Sequence, residues 1–310
     1  MSTITGTGAG PSSPAGLHPA PNLRRRPRPV ETGIKGLLMA SAMISIAITV
    51  GIVVALVRPV IEFFGDVPFS DFFASEGTFA VIPLVNATGM VTLIALLVAV
   101  PLGLGAAMYL SEYASRRSRK LLKPTVELLA GVPSVVYGFF ALTFVTPTLL
   151  QDILNFNVNF TNALSAGLVL GIMIIPTVAS LAEDAMSAVP HALRQGSLAM
   201  GANRMQTTLR VVFPAALSGI AAAVVLGLSR AVGETMIVAL AAGAQKNLSG
   251  DPREGMQTMT GFIAQKAGGE TPVGSIEYNT LFAVGLLLFV ITLLINIVSI
   301  SFVRRFRQVY

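Results

Sequence analysis

The sequence predicts an all-α integral membrane protein with six transmembrane helices, and three observations support that fold class. Of its 310 residues 53% are hydrophobic, and counting the 29 glycines raises the apolar share to about 62%, against roughly 45–50% in soluble domains. Charged residues make up 12%, about half the share a soluble domain carries. Six stretches stay apolar over the roughly 20 residues that a helix needs to cross a bilayer.

Residues 1–33 are rich in Ser, Thr, Gly and Pro, end in the basic run Arg24-Arg25-Arg26-Pro27-Arg28-Pro29, and show no hydrophobic periodicity. They read as a disordered tail preceding a transmembrane domain over 34–310. The first apolar stretch, about 37–57, lies too far from the N-terminus and runs too long for a secretory signal, so it reads as a first span. Five more follow at about 83–109, 126–147, 163–181, 214–240 and 280–303. The third contains Gly131 and Pro133, which lower helix propensity and remove a backbone donor, so a kink or break is expected there. In the fourth, Gly167 and Gly171 form a small-xxx-small pair suited to close helix packing.

Lys and Arg near span ends are retained on the cytoplasmic side. Sixteen of the 21 basic residues fall in the N-terminal tail, the 111–125 and 182–213 loops and the C-terminus, whereas nine acidic residues fall in the alternate loops. Both termini are therefore expected in the cytoplasm. The net charge of +6 follows membrane topology rather than a nucleic-acid surface, so nucleic acid is not an expected partner and membrane lipid is. With no cysteine, disulfides and thiolate chemistry are excluded, and His18 and His191 alone make no metal cluster.

Within the fifth span Arg230 and Glu234 stand four residues apart in an otherwise apolar run, a spacing that shares one face of a continuous helix. A charge at such depth costs roughly 2.5–3.5 kcal/mol on insertion scales and persists where it faces protein or a water-filled path. Two readings stand: an ion pair locking the helix to a neighbour, or part of a polar path in which Arg230 contacts an anion and Glu234 holds it. The planar guanidinium fork suits an oxyanion such as phosphate. Ser229 and Thr235 flank the pair as secondary path candidates. Glu127, at the inner end of the third span, either joins that path or is an interfacial carboxylate near Lys123.

Between spans four and five, Pro190 can open a short helix and Gly201 can turn it. A second amphipathic piece follows, with Met205, Leu209 and Val212 on one stripe. Residues 190–213 thus form a helix-turn-helix suited to docking another protein, or an interfacial helix resting on lipid. No G-x-x-x-x-G-K-[ST] occurs, so any ATP energy would have to arrive through a partner, and no nucleophile–base set is present. No catalytic residue or metal site is assigned.

The segment Gln195–Ile220, with Gly201-Ala202, Pro214 and Gly219-Ile220 at their spacing, resembles the cytoplasmic loop that docks ABC importer permeases onto their ATPase. The loop opens Gln195-Gly196-Ser197 where that family has Glu-Ala-Ala, so no carboxylate stands at 195. Three further segments resemble phosphate permeases: Leu128–Gly138, Ala99–Gly103 with Tyr109–Tyr113, and Ser229–Met236. Met236 and the stretch Leu281–Asn296 favour the C-type subunit. The resemblance implies the type I importer permease fold with one added N-terminal helix. It also implies an ATP-driven importer of inorganic phosphate, built from this chain, a related second permease, two copies of an ATPase that uses ATP and Mg, and an extracytoplasmic phosphate-binding protein. No cofactor would be bound by this chain. Gln195, Gly196, Ser197, Gly201, Ala202 and Pro214 would form the coupling loop, and Arg230 and Glu234 the family's intramembrane charged pair. A sulfate or molybdate permease of the same architecture is the alternative, against which the Gly131–Ser134 and Gly233–Met236 segments argue. A secondary transporter would carry an internal inverted repeat, which the sequence does not display.

Overall fold

The structure, a computed structural model, describes residues 29–269 and 271–305. Among the described residues thirteen α-helices and three π-helical segments follow in order, and there is no strand. The long helices are α1 (Pro29–Asp66), α3 (Ile82–Met108), α6 (Ala163–Ser187), α10 (Leu217–Gly233) and α13 (Ile276–Arg305). Between them lie α2 (Phe69–Phe72), α4 (Arg116–Ala130), α5 (Ser134–Phe140), α7 (His191–Ala199), α8 (Arg204–Thr207), α9 (Phe213–Ala215), α11 (Met236–Ala241) and α12 (Met259–Gly268). Five helices are long and apolar enough to cross a membrane, and a bent pair, Arg204–Ala215 with Leu217–Gly233, makes a sixth candidate.

The chain divides into two units, Met1–Gly51 and Ile52–Tyr310. In the first, residues 1–28 lie outside the described part, as does most of the expected disordered tail. Residues 29–33 of that stretch are helical, so α1 begins eight residues before the expected start of the first span. Every side chain from 30 to 51 is exposed, and a uniformly apolar helix of this kind needs lipid or protein around it.

In the second unit α6 is the central element, and its small residues explain why. A Cβ on Gly167 would lie 2.7 Å from Ile94, and one on Gly171 would lie 2.9 Å from the Ala95 carbonyl, both on α3. Gly219 of α10 similarly meets Ala185, at 2.5 Å. Backbones that approach this closely gain dispersion contacts, which drive helix association where lipid removes the hydrophobic term. Ala95, Val169, Leu170, Met173, Ile174 and Val178 are accordingly buried in the main core. A second core joins Phe63, Phe72, Val81 and Leu84 to Met259, Phe262, Ala283 and Val284, with edge-on phenylalanine rings 5.1–5.7 Å apart.

Two expected spans are interrupted. The third does not run unbroken over 126–147: α4 ends at Ala130, Gly131 caps it, and Pro133 is extended ahead of α5. Helix α4 is amphipathic and buries no residue, because its basic first turns cannot enter hydrocarbon. The apolar span is Ser134–Ile153, which becomes π-helical from Ala141 and contains Pro147. The fifth bends by 72° at Ala216 and breaks again after Gly233. The 241–275 segment is also more than a loop. Met256 donates to the Ala242 carbonyl at 2.8 Å and Asn162 to Ala241 at 2.9 Å, folding the chain back so that Met259–Phe262 of α12 are buried.

Gly171→Val is expected to lower stability by about 2 kcal/mol, because the added atoms meet the Ala95 carbonyl and the stiff, β-branched Val98 side chain, neither of which can swing aside. Gly105→Val, with open space around it, should leave the midpoint unchanged when both variants are melted in detergent.

Candidate translocation path and docking loop

Arg230 lies in the last turn of α10, thirteen residues or about 20 Å from its start. It is half-buried, and its Nη1 donates to Thr177 Oγ1 of α6 at 3.0 Å. Among the described residues no ion pair joins it to Glu234, contrary to the spacing argument. The helix stops at Gly233, and Glu234 takes an extended conformation (φ −65°, ψ 135°) that removes it from the face of Arg230. Its carboxylate instead accepts from the Met236 and Ile237 amides at 3.1 and 3.4 Å, satisfying the exposed start of α11. Thr260 of α12 donates to the Glu234 carbonyl at 2.6 Å, so the break is braced from a second helix.

The secondary candidates separate. Ser229 donates to Asn296 Oδ1 at 2.9 Å and ties α10 to α13. Thr235 donates locally to the Gly233 carbonyl at 3.3 Å. Glu127 is exposed on α4 and is not the partner of Lys123, which is committed elsewhere.

At the 190–213 loop, Pro190 (φ −56°, ψ 136°) precedes α7, and Gly201 turns the chain with φ +86°, a value that favours glycine. Asn203 and Gln206 form a reciprocal capping box that starts α8. Gln195 and Gly196 are exposed, Ser197 shares a 3.0 Å hydrogen bond with Thr207, and the Ala202 amide donates to the Ser197 carbonyl at 3.2 Å. Pro214 sits in α9 just before the 72° bend. His191 is exposed. The expected Met205–Leu209–Val212 stripe does not form. Residues 208–212 are π-helical, which changes the angular spacing, and Val212 is buried while Met205 and Leu209 stay exposed at 62% and 47%. With Leu198 and Met200, these two leave an apolar patch uncovered on the loop.

Two charge networks at this end of the bundle were not assigned from sequence. Glu183, fully buried at the end of α6, accepts from Arg119, from Lys123 at 2.6 Å and from Ser187 at 2.8 Å. Lys123 also reaches Asp184 at 2.6 Å. Burial alone would lower the Lys123 ammonium, but its bonds to Asp184 and Glu183 outweigh this and hold it above its ordinary value. This hub holds the amphipathic α4 against α6. The second network joins Arg194 of α7 to Glu112, in the π-helical turn Tyr109–Tyr113 that ends α3. The available signal was an acid beside basic loops in each case, Glu112 next to Arg116–Lys123 and the Glu183-Asp184 pair at the end of a span.

The sequence profile described as "Binding-protein-dependent transport system inner membrane component" matches residues 99–308. The chain belongs to this family of ABC importer permeases, and it is a multi-pass membrane protein. It is 38% identical over 266 residues to the probable ABC transporter permease protein YqgH of Bacillus subtilis, covering 83% of this chain and 84% of that one. It is 36% identical over 248 residues to the phosphate transport system permease protein PstC 1 of Mycobacterium tuberculosis, covering 73% of each. A chain of the bacterial alginate ABC transporter, 17% identical, superposes with a TM-score of 0.65 over 88% of this chain and 94% of that one. The fold is that of the type I importer permeases.

Glu183→Ala should destabilise the chain by about 2 kcal/mol, since it removes the carboxylate that holds the half-exposed Arg119 and leaves Lys123 with Asp184 alone. Glu183→Gln should cost less, and thermal melts of the purified transporter would rank the two.

Proposed function

We propose that this chain is the C-type transmembrane subunit of an ATP-driven importer of inorganic phosphate. In this reading it lines the path together with a second permease, receives phosphate from an extracytoplasmic binding protein, and is driven by an ATPase dimer docked on residues 190–213. Both termini face the cytoplasm, as the distribution of Lys and Arg favours.

One observation carries the substrate class: an arginine about 20 Å along an apolar helix, hydrogen-bonded to a neutral threonine, with no carboxylate partner among the described residues. Such a cation is compensated when an anion is present, and its planar donors match a tetrahedral oxyanion. The relatives named phosphate permeases support phosphate over sulfate. The role of Glu234 is then to cap α11 and hold the break open beside Arg230, rather than to neutralise it. The exposed apolar residues Leu198, Met200, Met205 and Leu209 support the docking role of the loop.

Labelled phosphate uptake in cells carrying the complete transporter tests this, with labelled sulfate as control. Arg230→Gln should assemble and lower phosphate uptake by at least about tenfold, the loss of one charge-assisted contact. Normal uptake by that variant would remove Arg230 from the path, and selective sulfate uptake by the native chain would overturn the substrate.

A further inference from the structure

Helix α7 buries no residue, yet it is held to the membrane domain. Apolar packing by the half-buried Leu193 contributes, but such contacts are non-directional and permit sliding. The directional link is Arg194. Its Nε and Nη2 donate to Glu112 Oε1 at 3.2 and 2.9 Å, and Nη2 also reaches the Met186 carbonyl at 2.7 Å. Its Nη1 donates to the Val189 carbonyl. One guanidinium therefore joins α7 to the tip of α3 and to the end of α6. Both side chains are nearly out of solvent, at 14% and 8% exposure, so the pair is little screened.

The grip is reinforced on each side. Ser111 donates to the same Glu112 oxygen at 3.0 Å, and Arg204, from the second helix of the loop, lies 5.9 Å from the centre of the Tyr113 ring. Two arginines of one loop thus hold adjacent residues at the end of α3. Gln195, Gly196, Leu198 and Met200 face away, free to meet a partner.

We propose that Arg194 is the positioning residue that passes motion of the docked ATPase into the second and fourth spans, α3 and α6. This rests on the reading of 190–213 as the ATPase dock. The geometry calls for arginine in particular. Four bonds leave one planar group in fixed directions, whereas a lysine ammonium is a single point that cannot reach a carboxylate and two carbonyls with the same spread. Without the link, ATP would still be bound and hydrolysed, but α7 would move against the spans instead of with them.

The test is the ratio of phosphate imported to ATP hydrolysed by the complete transporter in proteoliposomes. For Arg194→Gln the ATPase should co-purify as with the native chain and hydrolysis should persist, while the ratio falls by about tenfold, within the range expected of coupling residues. Arg194→Lys should lie between. Because the chain has no cysteine, Glu112→Cys combined with Arg194→Cys can be bridged selectively by a short bis-thiosulfonate reagent. Bridging should restore the ratio and reduction should lose it again, which a merely structural role would not produce. Where Arg194→Gln does not accumulate, Glu112→Gln and the bridged pair decide by the same ratio. An unchanged ratio, or uptake and hydrolysis falling by the same factor, overturns the proposal. Met200→Glu on the outward face separates the two readings. If it still binds the ATPase, the docking reading falls and takes this one with it. If it loses the ATPase while Arg194→Gln keeps the native ratio, only the role of Arg194 falls.

Discussion

Hydrocarbon offers no hydrogen-bond partners, so each place where a helix of this chain is interrupted has to find its own. The structure meets that demand with side chains from across the gap. Tyr137 donates to the Leu129 carbonyl at 3.1 Å over the Gly131–Pro133 break. Glu234 accepts two amides over the break after Gly233, and Thr260 donates to the carbonyl of Glu234. Thr88 of α3 accepts from the Met259 amide at 3.0 Å where α12 begins inside the protein. Irregular backbone concentrates where α5, α11 and α12 come together, and those contacts make it tolerable. Gly138, where a Cβ would lie 2.7 Å from Leu240, brings α5 and α11 into close contact beside both breaks.

Much of the fold was legible because membrane spans are written in composition. The apolar windows found each of the long helices, although α1 runs eight residues before and nine beyond its window, and Pro133 with Gly131 foretold the first break. What eluded the sequence was whatever depends on a helix ending early. Arg230 and Glu234 share a face only if the helix continues, and the residue that stops it, Gly233, is tolerated in apolar helices elsewhere in the chain. The stripe through Met205, Leu209 and Val212 failed for the same kind of reason, since a π-helical turn changes the angle per residue without a compositional mark. The burial of Met259–Phe262 was hidden because a segment returning into the protein has neither the length nor the uniformity of a span.

The 190–213 loop was legible as an element but not in its attachment. Turn chemistry identified its helices: Pro190, Gly201 and the Asn203–Gln206 box each act within a few residues. Its anchor acts across 82 residues of chain, through Glu112 with Arg194, and the hub that holds α4 beside it acts across 60 and 64, through Glu183 with Lys123 and Arg119. Charge counting places these residues on one side of the membrane, but pairing them needs the packing of α3, α4 and α6.

The capping role of Glu234 has a consequence for exchange rates. A carboxylate engaged by backbone amides is not competing for the guanidinium of Arg230, which holds only the hydroxyl of Thr177. An oxyanion arriving there would displace a neutral hydroxyl from the guanidinium, a bond worth about 1.5–3 kcal/mol, whereas breaking a buried ion pair costs about 3–5 kcal/mol. On the proposed reading, entry and departure would face shallower barriers, and the site would serve as a stepping point that fills and empties quickly rather than a store that must be pried open each cycle.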